Sequence, residues 1–505
     1  MRKKPYLCAI NRINVYSKTI DNMKKSLLVI GYWLLVIGSV QATDYYVSPS
    51  GSSSNYTESS PGKLTSTVIG KLKAGDVLYL MDGQYDLNNA LSINKNGSEG
   101  NMITICAVPG AKAIIDFRNE ANKTNGIKVG GKYLHIKDIT IRYAGYKGIW
   151  LEEATYCILE NLDVYGCCNA GIQLRSGGHN MVINCDSHDN FDYQDKGSNA
   201  DGFADKQGDA CPGNIYIGCR AWNNSDDGWD SYGRVTSGTP TVYINCITYN
   251  NGPKTFDLSN HPRATGKDKD LSCFSGKDLS NFANGGNPNG FKVGGNGTIH
   301  DVELYRCLAV GHRSKGFDQN NNAGNMKVIN CTAYQNDINY GFGNDYAFTL
   351  AVYNNVSLSP VSSHWKRSDK GTTTQQHNTW NTGYACSESD FEGLDIESII
   401  FAERNSDGSL PETTQFHLKA GSSLIDKGAV FSDFSGEKIL DYVSYNGSAP
   451  DLGCFEYSGS TGIDALTIDE GQPNFRMPCY NLRGQRVDNS YKGVVVQGGR
   501  KFLMK

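Results

Sequence analysis

The segments VINCDSHDN (182–190), IYIGCRAWNN (215–224), VYINCITYNN (242–251), LYRCLAVGH (304–312) and VINCTAYQN (328–336) set Cys185, Cys219, Cys246, Cys307 and Cys331 at one recurring position. Ile139 in IKDITIRY and Leu162 in LENLDVYG continue the series backward, and Asn355 in VYNNVSL continues it forward. The spacings are 23, 23, 34, 27, 61, 24 and 24 residues, a base period near 23 interrupted by insertions. A repeat of that length, with short β-branched and aromatic runs between Asn and Gly, predicts a parallel β-solenoid whose coils stack about 4.8 Å apart. Equivalent positions then form ladders along the axis.

A second line of residues runs through Gly148, Gly171, Gly202, Gly228, Gly290, Gly316 and Gly341. The distance from each Gly to the following marker hardly changes, so the extra length falls just before Gly202 and just before Gly290. Two loops, roughly 188–200 and 250–288, are therefore grafted onto one edge. The apolar residues after the glycines, Ile149, Ile172, Phe203, Trp229, Phe291, Phe317 and Phe342, are expected to form a core ladder. The Cys ladder reads as packing rather than as disulfides or a metal site, because side chains stacked in parallel rarely meet disulfide geometry. Asn190, Asn224, Asn251 and Asn336 are expected to form an amide ladder at a turn.

The composition agrees with this reading. The chain has 505 residues, 39% apolar and 20% charged, with 57 Gly but only 14 Pro, which favours short strands and tight turns. Lys plus Arg number 48 and Asp plus Glu 52, a net charge of −4, so no basic field exists to hold nucleic acid. The 15 Cys lack CxxC pairs and the nine His lack HExxH spacing, so neither a disulfide framework nor a zinc site is indicated.

Met23-Lys24-Lys25 followed by SLLVIGYWLLVIGS (26–39) has the basic and apolar regions of an export signal and is too short to span a bilayer. The expected organisation is an N-terminal extension and signal at 1–42, a parallel β-helix at 43–457, a linker at 458–463 and a small β-rich tail at 464–505. The protein is expected to be exported to the periplasm, cell surface or medium, without a membrane span and as a monomer.

Chemistry concentrates beside the glycines. Asp201 and Asp227 immediately precede Gly202 and Gly228 in adjacent coils, Asp226 lies beside Asp227, and Asp230 follows Gly228 by two positions, where side chains face outward. Two carboxylates about 5 Å apart repel by roughly 3 kcal/mol at an effective dielectric of 20. A proton or a cation must relieve this, and an all-oxygen donor set suits Ca²⁺ better than Mg²⁺. The plainer reading is solvated turn aspartates. Lys292 falls in the register of Asp230 in the next coil, provided the long insertion adds no coil of its own. It is either a ladder salt bridge to Asp230 or Asp318, or a base whose proton is loosened by burial and a neighbouring cation. The acidic loop Asp186, Asp189, Asp192 and Asp195 reads as a solvated loop rather than a second ion site.

At these residues the chain resembles polysaccharide lyase family 9, pectate lyases of right-handed parallel β-helix fold. The matching stretches are NADGFADK (199–206), GCRAWNNSDDGWDSY (218–232) and NGFKVGG (289–295), and the likeness extends over about 44–457. The resemblance implies that Asp201, Asp226, Asp227 and Asp230 hold a catalytic Ca²⁺ and that Lys292 is the base. It implies β-elimination in an anionic pectic polysaccharide, with homogalacturonan or the rhamnogalacturonan I backbone as substrate. Arg313, Lys315 and Arg263 are candidates to grip further substrate carboxylates. The tail resembles C-terminal segments of exported Bacteroidetes proteins. A β-helix glycoside hydrolase using paired carboxylates and a non-catalytic carbohydrate-binding solenoid are the competing readings.

Overall fold

The computed structural model describes residues 42–457, apart from 209, 270–272, 347 and 431–444, and residues 479–504, apart from 482–485 and 498–499. Of the expected N-terminal extension and signal at 1–42 all but residue 42, and the whole of the expected linker at 458–463, lie outside the described residues.

The repeat folds as a parallel β-helix. Three long sheets, of 12, 10 and 10 strands, run along it. The first begins at Asp44–Val47 and ends at Thr372–Gln376, the second runs from Leu91–Ile93 to Ser363–Arg367, and the third from Gly83–Asp86 to Val356–Leu358. Within each, every pairing is parallel between successive coils. The abundance of Asn has a local cause. The residue before each marker takes a left-handed conformation: Asp138, Asn161, Asn184, Gly218, Asn245, Arg306, Asn330 and Asn354 all have φ between 51° and 60°. Asn and Gly tolerate this region at least cost, so the chain bends there in every coil.

The markers form the expected ladder. Register pairs on their C-terminal side connect Asp163, Asp186, Arg220, Ile247, Leu308, Thr332 and Val356, which places Leu162, the five Cys and Asn355 above one another. These thiols are free and buried, and their Sγ atoms face backbone carbonyls such as Ile183 O and Ile244 O. The aromatic ladder stacks face to face, with centroids 4.7 Å apart for Phe203–Trp229, 4.8 Å for Trp229–Phe291 and 5.2 Å for Phe291–Phe317. The amide ladder also forms: Asn190 Nδ2 donates to Asn224 Oδ1 and Asn224 Nδ2 to Asn251 Oδ1. Beyond that, His312 takes the equivalent position, accepting from Asn251 N and donating its own N–H to Asn336 Oδ1.

One ladder position differs from expectation. Phe317 pairs and stacks with Tyr340, not Phe342, because Asp318 registers with Gly341. The five-residue strand Ile338–Phe342 offers two aromatics of the same parity, and the spacing to Gly341 selects the wrong one.

The two insertions fold against each other. Thr255–Phe256 pairs antiparallel with Phe282–Ala283, and Phe256, Leu258, Phe274 and Phe282 pack with Phe191 and Tyr193 of the shorter insertion. Neither insertion adds a coil, since Trp229–Asp230 pairs directly with Phe291–Lys292. Residues Ser458–Lys505 form a second unit, in which Cys479–Asn481, Arg486–Val487, Gly493–Gln497 and Arg500–Met504 make an antiparallel four-stranded sheet. Among the described residues no helix is long and apolar enough to cross a membrane.

Candidate active site

The second sheet carries the acidic residues because of its glycine column. A Cβ on Gly228 would lie 2.2 Å from Thr248 Oγ1 and 2.7 Å from Gly290 O, so only glycine lets the coil turn this tightly between Asp227 and Asp230. Asp201 and Asp227 flank that column in adjacent coils, and Ala204, Asp230 and Lys292 follow one another as register partners. One carboxylate oxygen from each of Asp201, Asp227 and Asp230 lies within 4.8 Å of the others.

These side chains leave the sheet on its outer face, yet solvent barely reaches them: exposure is 0% for Asp201 and Asp227, 2% for Asp230 and 8% for Lys292. Residues in and just after the insertions supply donors. Asn289 gives Asp227 Oδ1 two hydrogen bonds, from N at 3.0 Å and Nδ2 at 2.8 Å. Asp226 stands apart from the three-oxygen group, its carboxylate accepting from the backbone N–H of Asn199 and of Asn287. Its charge still adds to the crowding that raises Asp201 and Asp227.

Two ammonium groups now neutralise the cluster. Lys292 Nζ lies 3.0 Å from Asp227 Oδ2 and 3.3 Å from Asp230 Oδ2. Lys206 Nζ lies 2.7 Å from Asp201 Oδ2 and 2.6 Å from Asp230 Oδ2. Asp318, the other carboxylate in reach by sequence, pairs with Lys315 instead.

The titration behaviour follows from this crowding. Burial, then Asp230 and Asp226 against the pull of Lys206, raises the Asp201 carboxyl to about 7. Burial also raises Asp227 well above the usual carboxylate range, Lys292 opposing. Asp230 is lowered despite its burial, because Lys206 and Lys292 both face it. For Lys292 burial disfavours the charge, but Asp227, Asp230, Asp226 and Asp201 outweigh it and hold the ammonium well above its ordinary value. Burial alone loosens the proton, as expected, but the four carboxylates outweigh it: while the amine serves as the cluster's counter-ion, its charge is needed there.

The donor set fits a hard divalent cation. It is all oxygen, it is convergent, and it is already organised around positive charge. Asp201 Oδ2 is buried and, although ion-paired with Lys206, makes no hydrogen bond.

Sequence reasoning missed Lys206. The residue ends the quoted NADGFADK stretch four positions after Gly202, an outward position like that of Ala204, and that alternation was the available signal. It also misread Arg263. That guanidinium is fully buried, bonded to the carbonyls of Phe117, Tyr143 and Glu120 and ion-paired with Asp268 at 2.8 Å. It ties the long insertion to earlier coils and has no face for a dissolved carboxylate. Arg263→Ala removes the buried ion pair with Asp268 and the guanidinium's hydrogen bonds to three carbonyls, at a cost of about 3–5 kcal/mol. A lower thermal unfolding midpoint is expected, and an unchanged one would contradict this reading. Arg313 is exposed, with its Nε donating to Gly252 O, and Lys315 is half-buried against Asp318. The stretch expected to be a solvated acidic loop is not one at Asp186 and Asp192: Asp186 opens the strand Asp186–His188, buried against Arg220 and Arg404, and buried Asp192 accepts from the backbone N–H of Gln194 and Asp195.

Comparison with known proteins matches residues 45–355 to the family described as Pel9A-like, right handed beta helix region. Pectate lyase L of Dickeya dadantii (strain 3937) is 37% identical over 426 residues, 82% of this chain and 90% of that protein. Pectate lyase L of Paenibacillus polymyxa (strain SC2) is 28% identical over 77% of this chain and 84% of that protein. The crystal structure of pectate lyase Pel9A superposes with a TM-score of 0.69 at 35% identity, covering 82% of this chain and 96% of that one. A rhamnogalacturonan lyase structure, at 22% identity and TM-score 0.60 over 75% of this chain and 97% of that one, shares the fold.

Proposed function

Because the chain belongs to the Pel9A-like right-handed β-helix family, we propose that it cleaves galacturonate-containing pectin by calcium-dependent β-elimination. It is a pectate lyase-type polysaccharide lyase. The observation that carries the mechanism is the amine of Lys292 set within 3.3 Å of two carboxylates of the Asp201–Asp227–Asp230 cradle.

Asp201, Asp227 and Asp230 would hold Ca²⁺, with Asp226 beside them. When bound, the ion supplies positive charge that draws the uronate carboxylate in, acidifies the C5 proton and takes over the neutralising role of the two ammonium groups. Lys292, in its neutral form, accepts the C5 proton. The C5–H electron pair becomes the C4–C5 double bond as the C4–O bond breaks, and the departing oxygen takes up a proton. No water is consumed. Asn289, through its two hydrogen bonds, fixes the Asp227 carboxylate so that its second oxygen faces Lys292. Arg313 and Lys315, one coil further along, are proposed contacts for neighbouring uronates. The N-terminal signal and the β-rich tail support export.

A panel of polygalacturonate, methyl-esterified pectin and rhamnogalacturonan I, followed by the ultraviolet absorbance of 4,5-unsaturated uronate, tests the assignment. Polygalacturonate is expected to give the largest signal. New reducing ends without that absorbance would mark a hydrolase, and polymer binding without cleavage would mark a binding solenoid.

A further inference from the structure

The outer row that contains Asp230 and Lys292 continues in the other direction. Asp230 registers with Ala204, Ala204 with Gln173, Gln173 with Trp150 and Trp150 with Lys128. Trp150 thus stands three coils from Asp230, about 14 Å at roughly 4.8 Å per coil. Between them lie Ala204 and Gln173, both buried.

Around Trp150 the chemistry changes sign. Lys128 Nζ lies over the indole at 5.3 Å from its centre, and Lys147 Nζ lies 6.0 Å from the same ring and 3.5 Å from that of Tyr146. Among the described residues neither lysine has a carboxylate partner within ion-pair distance, whereas Arg175, further out in the next coil, is taken by Glu152. Burial, with Lys206 and Arg175 adding to it against Asp192 and Asp201, brings the Lys147 ammonium down to about 7. A docked anion would stabilise its charge. Trp150 Nε1 makes no hydrogen bond. Two lysines on an aromatic platform with no described carboxylate at ion-pair distance are unusual in a chain of net charge −4.

We infer that Lys128, Lys147 and Trp150 form a distal subsite that binds a uronate residue of the same polysaccharide chain several sugars away from the bond cleaved. The sugar face rests on the indole and its carboxylate takes the two ammonium groups. This rests on the proposed lyase function, because it assumes an anionic chain laid along the row.

The test compares galacturonate oligomers of increasing length on the intact protein, on Lys128→Gln/Lys147→Gln and on Trp150→Ala, with Trp150→Phe as a variant that keeps an aromatic face. The kcat/KM for long oligomers is expected to fall by about tenfold through KM, with the loss shrinking as the substrate shortens. Equal loss at every length, or none, would overturn the subsite. Calorimetric binding of a long oligomer, carried out in the Lys292→Ala background, reads the same contacts without turnover. Weaker binding in the triad variants supports the subsite and unchanged binding overturns it. If the unaltered protein yields no unsaturated product from any oligomer, the lyase reading fails, and the binding measurement still judges the subsite.

Discussion

Lys292→Ala is expected to lose elimination activity by about 10²- to 10⁴-fold in kcat, the range a positioned general base contributes. The amine registers with Asp230 and reaches two carboxylates of the cradle, so its removal deletes the proposed base at the cradle's edge. Alanine alone leaves an ambiguity, since it also strips a positive charge from buried carboxylates and can disturb the fold. Lys292→Arg resolves it. Arginine keeps the charge and the hydrogen bonds, but it does not give up its proton in proteins, so it cannot act as a base. Both variants are expected to be inactive by the unsaturated-product assay, with Lys292→Arg melting closer to the unaltered protein. Substantial turnover in Lys292→Arg would assign the residue a purely electrostatic role.

Removal of divalent cations is expected to abolish activity, with Ca²⁺ restoring it and Mg²⁺ restoring little, because the cradle offers oxygens without enforcing an octahedron. Asp227→Asn is expected to need far more Ca²⁺, as it withdraws charge from the cluster while Asn289 can still donate to the side-chain oxygen and the backbone N–H at 227 still donates to Asp201 Oδ1. Cation binding should also raise the unfolding midpoint. Free Ca²⁺ at 100 times its dissociation constant stabilises the folded state by about 2.7 kcal/mol. Titration with Ca²⁺ followed by calorimetry and by rate checks both statements. Full activity in chelator would remove the cation from the mechanism.

Much of this was legible before any coordinates. A 23-residue repeat with Asn before most of the markers is a backbone signal as well as a sequence one, because the left-handed residue recurs in every coil. The register of Asp230 with Lys292 followed from counting offsets across an insertion that adds no strand to the second sheet. What escaped was whatever depends on which side chains cover others. Arg263 sits in an insertion, where an arginine reads as solvated, yet the packing of Phe256 and Phe274 draws it into the interior. Lys206 lies beyond the offsets compared, and only the closeness of Asp201 and Asp230 shows why a cation belongs there. The Tyr340 register was lost to a strand whose aromatics alternate in phase. The raised proton affinity of Lys292 could not be read either, since it depends on four carboxylates acting together.

The central claim is that the acidic cradle and Lys292 act on one sugar ring. A crystal structure of Lys292→Ala with Ca²⁺ and a galacturonate oligomer tests it most directly. The account predicts the ion among Asp201, Asp227 and Asp230, a uronate carboxylate on it, and that sugar's C5 hydrogen pointing to the space vacated at position 292. An ion bound elsewhere, or a C5 hydrogen turned away from that space, would contradict it.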